Sequence, residues 1–449
     1  MGIKKDFIEH IDSSLNFDIF RRKVKVKLKI VEVFFITPLI DSMILLETIR
    51  SIKEIRNDKI IQEDLVTPQI RKEIDLNKVL TSFYSGEVII FTNNNCYIVD
   101  CRKHPLRGID EPHSEKSIRG SRDGFNESIN TNIGLIRLRI KSNKLKTEIL
   151  EVSKYGRTYI SLVYLEDKAD LKIVEELKRR ISKLDINSLI MSDRSLEERL
   201  FSQGKIIYPL VRYTERPDVA SIHIMNGKIV IVVDTSPSVI ITPICLLDHL
   251  KHVEEFRQTP LIGSFTKVLR IISVIVSLFL SPVVLALLTD HDYTNIFSIS
   301  LDSGNSVLAF EMIVSTIILE IFRIAIVHTP TPLGGAISLV SALVLGQVSI
   351  DLGIFSSEVL LVVCISSICG FATPSYELSL SNKLVSLILL LLVAFFQMEG
   401  LLIGFILLFL YLVSIKTFNV PYLYPLVPFD FKKLFRFMFR NSNEDNKNL

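Results

Sequence analysis

The sequence predicts an α/β soluble N-terminal region of two small subdomains followed by an all-α polytopic membrane domain. Three observations point there. Charge is unevenly spread along the 449 residues: roughly the first 260 are rich in Lys, Arg, Asp and Glu, and roughly the next 160 hold very few. Apolar residues near the N-terminus first alternate with charged ones and then recur at helical spacing. Runs of about twenty mainly apolar residues follow, the length needed to cross a roughly 30 Å hydrocarbon core.

The chain is 48% hydrophobic and 22% charged, with a net charge of +3. So small a charge points neither to nucleic acid nor to an acidic partner. Trp is absent, so an interfacial aromatic belt falls to Tyr, and Tyr411, Tyr422 and Tyr424 cluster near the end of the apolar part. The opening MGIKKDFIEHIDSSL is interrupted by Asp and Glu and lacks the apolar core of a secretory signal. Asp6 stands where N-myristoylation wants Ser or Thr. A cytosolic soluble part is therefore expected, and five cysteines fit a reducing compartment. Cys96, Cys101 and His104 lack a fourth ligand and the usual spacing of a metal site, and read as ordinary strand residues.

Residues 1–20 are an N-terminal segment and residues 21–105 a first α/β subdomain. RRKVKVKLKIVEVFFI, Arg21 to Ile36, has the period of a half-buried strand. TPLIDSMILLETIRSIKEI then takes helical spacing, with Thr37 as N-cap and Pro38 at the first helical position. EVIIFTNNNCYIVDC reads as a strand, an Asn turn and a second strand. Residues 106–132, rich in Gly, Ser and charge, read as a linker. The sequon at Asn126 lies in that linker, out of reach of glycosylation on the cytosolic side.

The second α/β subdomain is expected at residues 133–262. YISLVYL is a strand, DLKIVEELKRRISKL an amphipathic helix, INSLIMS a short strand, and SLEERLF a short helix capped by Ser195. Asn226-Gly227 between two apolar runs reads as a two-residue hairpin turn. Glu215, Arg216 and Asp218 in TERPDVA form the strongest polar motif. No His base or metal ligand accompanies them, so they read as a hydrogen-bonded turn or a contact between protomers. No Gly-rich phosphate loop follows any strand. No catalytic residue, metal or cofactor is expected, and an enzyme is the last of the readings.

The transmembrane helical domain is expected at residues 263–418 in about four to six spans, followed by a basic tail at residues 419–449. Arg270 to Leu288 is the first span, kinked at Pro282. The next loop, TDHDYTNIFSISLDSGN, has Asp but no Lys or Arg, which places it outside. Val307 to Ile326 is the second span. Gly335 to Ile350 is short enough to be re-entrant, and Ile354 to Phe371 is the fourth segment. TPSYELSLSNK reads as a polar connection. Leu384 to Ile415 would be about 48 Å long as one helix, too long for one upright span. Gln397, Glu399 and Gly400 sit at its middle, so it reads as a helical hairpin. Cys364 and Cys369 read as buried thiols on different helix faces. Lys416, Lys432, Lys433, Arg436 and Arg440 hold the tail inside.

Two features of the apolar part stand out. Glu320 and Arg323 share a helix face as an i,i+3 pair, with Glu311 on roughly the opposite face. An unpaired charge at mid-bilayer costs at least about 2.5 kcal/mol, so the pair should face protein or water. It is either a structural lock between helices or part of an ion path. Gly334, Ser338, Ala342 and Gly346 recur every four residues, a small-residue stripe that lets backbones approach closely. That helix packs tightly within one chain or around a shared axis. Ser338, Ser341 and Gln347 would wet a pore wall there, with Leu343 on the same path.

GFNESINTNIGLIRLRIKSNKL, YPLVRYTERPDVASIHIMNGKIVIVVDTSPSVIITP and LGGAISLVSALVLGQVSIDLG, in that order, resemble the A-subunit family of spore germination receptors. The likeness runs from about Arg119 to Phe429, and the first hundred or so residues match only loosely. HTPTPL, TPSYELSLSNK and PYLYPLVPF are closer to one branch, stage V sporulation protein AF. IVHTPTPLGG replaces the arginine- and leucine-bearing version of many receptor A subunits, a departure that favours the same branch. The resemblance implies a place in the inner membrane of bacterial endospores, with the N-terminal domain and the tail on the core side. It implies a ring-shaped homo-oligomer, a pentamer, that releases monovalent cations when germination is triggered. For the AF branch it implies an ion-conducting complex with a partner spore membrane protein that amplifies the response. The partners expected are membrane lipid, further copies and that protein, and not nucleic acid. A non-conducting scaffold that docks other germination or dipicolinic-acid channel proteins is the competing expectation. A secondary transporter would show a second copy of the glycine-rich break, and none is found.

Overall fold

The computed structural model describes residues 2–11, 16–26, 29–54, 70–92, 95–103, 121–153, 155–184, 189, 192–201, 204, 206–252, 254–255, 258–289, 305–328, 339–340 and 343–438. Two compact units emerge. One is built mainly from Met1–Lys205 and Leu210–Ile244, the other from Ile206–Pro209 and Cys245–Glu444.

The first unit holds two antiparallel sheets. Strands β1 (Ile19–Val26), β2 (Lys29–Ile36), β3 (Ile70–Glu73), β4 (Val88–Phe91) and β5 (Cys96–Val99) line up in the order β1-β2-β4-β5-β3. Successive side chains point to opposite faces of a sheet, and both faces here are covered. Val31, Val33, Phe35, Val88, Ile90 and Val99 pack against Leu45, Ile49 and Ile52 of helix α2 (Ser42–Glu54). Phe34, Ile36, Ile89, Phe91 and Ile98 pack instead against Phe7 of α1 (Gly2–His10) and Val79 and Phe83 of α3 (Leu76–Tyr84). Cys96 and Cys101 are buried in these layers. Burial pushes the Cys96 thiol up to about 12, and the nearby Glu73 charge adds to it.

The second sheet joins β6 (Leu145–Val152), β7 (Thr158–Leu165), β8 (Arg212–Thr214), β9 (Ile229–Val233) and β10 (Val239–Thr242) in the order β6-β7-β9-β10-β8. Helices α4 (Ile129–Arg139) and α7 (Pro217–Met225) pack on each other and on β7 and β9. Helix α5 (Leu171–Ser182) starts at Asp170, whose side chain caps the Lys172 N–H, and buries Ile173, Val174, Leu177 and Ile181. Helix α6 (Ser192–Phe201) follows. The two sheets are locked together by a buried ion pair. Arg137 of α4 donates to Asp18 through Nε at 2.6 Å and Nη2 at 2.9 Å. Asn16 and Thr147 complete the cluster, and their backbones also bridge.

Several local expectations change. Arg21 to Ile36 is not one strand but the antiparallel pair β1 and β2, with Val26 opposite Lys29. Thr37 and Pro38 form a short 3-10 turn, and α2 begins only after Asp41, whose carboxylate accepts from the Met43 N–H at 2.9 Å. Asn226-Gly227 is not a hairpin turn. It ends α7: Gly227 has φ +81°, and the N–H groups of Gly227 and Lys228 reach back to the carbonyls of Ile224 and His223. These are the paired bonds of a Schellman cap, with glycine at the left-handed position. The apolar residues before it were helical, and the hairpin lies further on, between β9 and β10. Ser195 lies inside α6, which starts at Ser192. The later part of the expected linker is held in place: Phe125 donates to Glu215 O, and Asp123 pairs with Arg139 at 2.6 Å. His104, residues 106–120 and most of INSLIMS lie outside the described residues.

The second unit is helical. Its main elements are α8 (Pro260–Thr289, with Pro282 inside), α9 (Asn305–His328), α10 (Ser357–Phe371), α11 (Tyr376–Ser414) and α12 (Phe431–Met438). Among the described residues, α8 and α11 are long and apolar enough to cross a membrane, and α10 is a shorter apolar helix. Leu285, Leu308, Met312, Val359, Val363, Leu390 and Val393 form the core between helices. TPSYELSLSNK is no connection, because Ser375 caps α11 and the rest is its first turns.

Helix α11 reverses at Gln397, which has φ 51° and ψ −133°. In a straight helix, residues eight apart would lie about 12 Å apart. A Cβ on Gly400 would instead sit 2.2 Å from the Leu392 carbonyl oxygen, and one on Gly404 2.4 Å from Leu389. The two glycines allow the arms to fold back on each other. Both arms hold the backbone of Ile207: Tyr411 Oη accepts from its N–H at 2.8 Å, and Ser381 Oγ donates to its carbonyl at 2.7 Å. Two tyrosines therefore leave the expected belt. Tyr422 is fully buried against Tyr208, and Tyr411 is tied to Ile207. Cys364 is exposed and Cys369 half-buried, against the expectation of buried thiols, because α10 turns that side away from the core.

Candidate functional site

Among the described residues of the helical unit, three clusters of charged groups involve its helices α8 and α9. At the foot of α8, Glu255 is buried between Arg270 and Lys267, the second at 3.5 Å. Burial pushes its carboxyl above the usual range, with the two cations pulling the other way. Lys267 also donates to the Phe437 carbonyl of α12 at 2.8 Å. On α9, Glu311 is buried and accepts from the Ser356 N–H at 3.0 Å and hydroxyl at 2.6 Å. A carboxylate there satisfies a free backbone donor at the start of α10. Both clusters join helices and are closed.

The third place is open. Arg323 Nη1 lies 3.3 Å from Glu320 Oε1 on the same face of α9. The guanidinium sits over the rings of Tyr376 at 5.0 Å and Phe371 at 5.7 Å, a cation–π arrangement. Its Nη1 donates to Ser379 Oγ at 3.4 Å, and that hydroxyl donates to the Gly370 carbonyl at 3.1 Å. Glu320 and Arg323 line a cavity of about 360 Å³ whose walls include the apolar Leu319, Phe322, Ile326 and Phe371 and the hydroxyls of Ser277, Ser367 and Ser379. Lys383 of α11 lines it from the other side and donates to Ser367 Oγ at 3.0 Å.

Glu320 and Arg323 thus come together as the spacing suggests. Lys383 was missed, because the polar run around it read as a loop. Its signal was a lysine directly before a long apolar stretch that starts at Leu384. The small-residue stripe is only partly visible: Gly334, Ser338, Ser341 and Ala342 lie outside the described residues. Leu343 and Gln347 are exposed, and a Cβ on Gly346 would meet nothing within 4 Å. Val344–Val348 is a wide π-helical turn. In the sheet unit, Arg216 is buried and makes two bonds to Asp218, at 3.0 and 2.8 Å, and one to Ser121 O. Glu215 accepts through its backbone, so the motif forms a closed turn between β8 and α7.

Residues 5–448 match the family described as Bacillus/Clostridium GerA spore germination protein. Stage V sporulation protein AF of Bacillus subtilis (strain 168) is 36% identical over 454 residues, covering 98% of this chain and 92% of that protein. Spore germination protein KA of the same organism is 30% identical over 399 residues, covering 87% of this chain and 73% of that protein. Among solved structures, the N-terminal domain of the A subunit of the Bacillus megaterium spore germinant receptor GerK3 aligns with a TM-score of 0.41 at 25% identity. That alignment covers 54% of this chain and 92% of that chain.

Proposed function

Because the chain belongs to the Bacillus/Clostridium GerA spore germination protein family, we propose that it is a subunit of an oligomeric ion-conducting complex in the spore inner membrane. The membership supports a role in spore germination. In this reading the helical unit is a multi-pass membrane domain of the four to six spans read from the sequence, and the sheet unit and the tail lie on the core side. The complex releases monovalent cations together with a partner spore membrane protein and so amplifies the germination response.

The observation that carries the reading is the Glu320–Arg323 pair, set among apolar helices and open to a cavity rather than sealed. Charged groups inside a membrane domain are costly and mark functional sites by default, and Glu320 is the acidic group of this one. The exposed turn around Leu343 and Gln347, with free space at Gly346, supports a second copy packing on that face. A pentameric ring, as the family resemblance implies, would put Ser338, Ser341 and Gln347 around its axis. Arg216, Glu215 and Asp218 serve as a structural turn, and no catalytic step is assigned.

Reconstitution tests this. The chain and its partner in liposomes should pass monovalent cations, and Leu343→Ala should raise the flux by widening the path. No flux from a complex that still forms would favour the second reading, a non-conducting scaffold for other germination or dipicolinic-acid channel proteins. The mass of the purified protein in detergent separates the two further: a stable ring favours conduction and a monomer favours the scaffold.

A further inference from the structure

We infer that the cavity between α8, α9, α10 and α11 is a binding site for an anionic group carried on an apolar body. Three charged side chains line it, two cations and one carboxylate. Glu320 is engaged by Arg323 at 3.3 Å. Lys383 bonds to the neutral Ser367 hydroxyl at 3.0 Å, and no described carboxylate comes within ion-pair distance of it. An ammonium has three donors, and one set among apolar helices is costly without a counter-charge. The cavity therefore carries an excess positive charge that a carboxylate or phosphate group would neutralise.

The walls say what such a group is attached to. Leu319, Phe322, Ile326, Ile368 and Phe371 supply hydrocarbon surface around the charged end. A cavity of about 360 Å³ holds a small organic acid or the head of a lipid. Apolar walls with a few convergent polar groups are the usual make-up of a small-ligand site. Glu320 disfavours a doubly charged group close to Arg323, so the anion sits on the Lys383 side. The site goes beyond conduction, because it stands whether or not ions cross the complex.

The test uses the full chain, stripped of lipid in a neutral detergent, with thermal melts followed by far-UV circular dichroism. The probes are sodium benzoate, benzyltrimethylammonium, phosphatidylglycerol and phosphatidylcholine. Benzoate or phosphatidylglycerol should raise the melting temperature in a saturable way, and the cation and the zwitterionic lipid should not. A response to benzoate alone identifies a soluble acid, and one to phosphatidylglycerol alone a lipid headgroup. Lys383→Gln should weaken the effective anion at least tenfold, and Lys383→Arg should restore most of it. Ile326→Trp, which fills the cavity and leaves its charges in place, should abolish the response. The inference is overturned if neither anion stabilises the wild-type chain, or if the response survives undiminished in Lys383→Gln and Ile326→Trp.

Discussion

Asp18–Arg137 in the sheet unit and Glu320–Arg323 in the helical unit are the same chemical pair held in opposite ways. The first is sealed, with side chains 0% and 1% exposed, two bonds between the partners, Asn16 and Thr147 also accepting from Nη2, and the Leu145 carbonyl accepting from Nη1. The second has one contact at 3.3 Å, side chains 20% and 12% exposed, a single long bond from Arg323 to Ser379 Oγ at 3.4 Å, and aromatic faces over the guanidinium. Glu320 Oε1 has no hydrogen-bond partner among the described residues. A buried charge repays its desolvation only when nearly every polar atom is matched. The sheet unit meets that condition, and its pair fixes one sheet to the other. The helical unit leaves it unmet beside a cavity, where the missing interactions remain available to something else.

Breaking the sealed pair should have the largest effect. Asp18→Ala leaves Arg137 buried without its counter-charge and should cost about 3–5 kcal/mol. Hydrogen exchange of the full chain would place the loss in β1, β6 and α4, and a small loss spread evenly over the chain would break the contrast. Next comes the fold-back that shapes the helical unit. Gly400→Ala puts a Cβ against the Leu392 carbonyl, backbone that cannot swing aside, and should cost about 1–3 kcal/mol in detergent melts.

A smaller effect depends on pH. Glu32 meets Lys4 at 2.9 Å and Arg21 at 2.8 Å. Burial opposes its ionisation, yet the bonds and charges of Lys4 and Arg21 hold its carboxyl below the usual range. Its contribution is therefore present above the ordinary glutamate value and lost as pH falls through the lowered one. Glu32→Gln should cost about 0.5–1 kcal/mol at neutral pH, since both cations are partly exposed, and nothing in strong acid. Melts of the two proteins from neutral to acid pH should converge. The least effect belongs to the open site. Lys383→Gln should leave stability unchanged or raise it without added anion, because it removes an ammonium that no described carboxylate pairs. A large loss there would mean that Lys383 serves the fold, and the contrast between the units would fail.

Much of this architecture is legible in the sequence, and particular residues show where legibility stops. The alternation in RRKVKVKLKIVEVFFI marks strand but reads as half-buried, whereas β2 buries Val33 and Phe35 on one side and Phe34 and Ile36 on the other, so its second covered face came only with the packing. Gln397, Glu399 and Gly400 in the middle of an over-long apolar run mark the reversal of α11. Glu320 and Arg323 are three apart, so their meeting follows from helix geometry. Asn226-Gly227 misled because glycine at positive φ serves a hairpin and a helix end equally well. Only the packing of the preceding apolar residues distinguishes the two.

The sequence by itself determined what neighbours along the chain can determine: where charge ends and the apolar half begins, which stretches repeat with period 2 or 3.6, and where glycines permit reversal. Tertiary structure alone decided who meets whom at long range. Arg137 finds Asp18 across 119 positions, and Ser381 and Tyr411 close on Ile207 across 174 and 204. It also decided that Lys383 would face a cavity instead of a carboxylate. The physical reason is reach. Backbone periodicity acts over a few residues, whereas the partner of a buried charge depends on which elements fold against it.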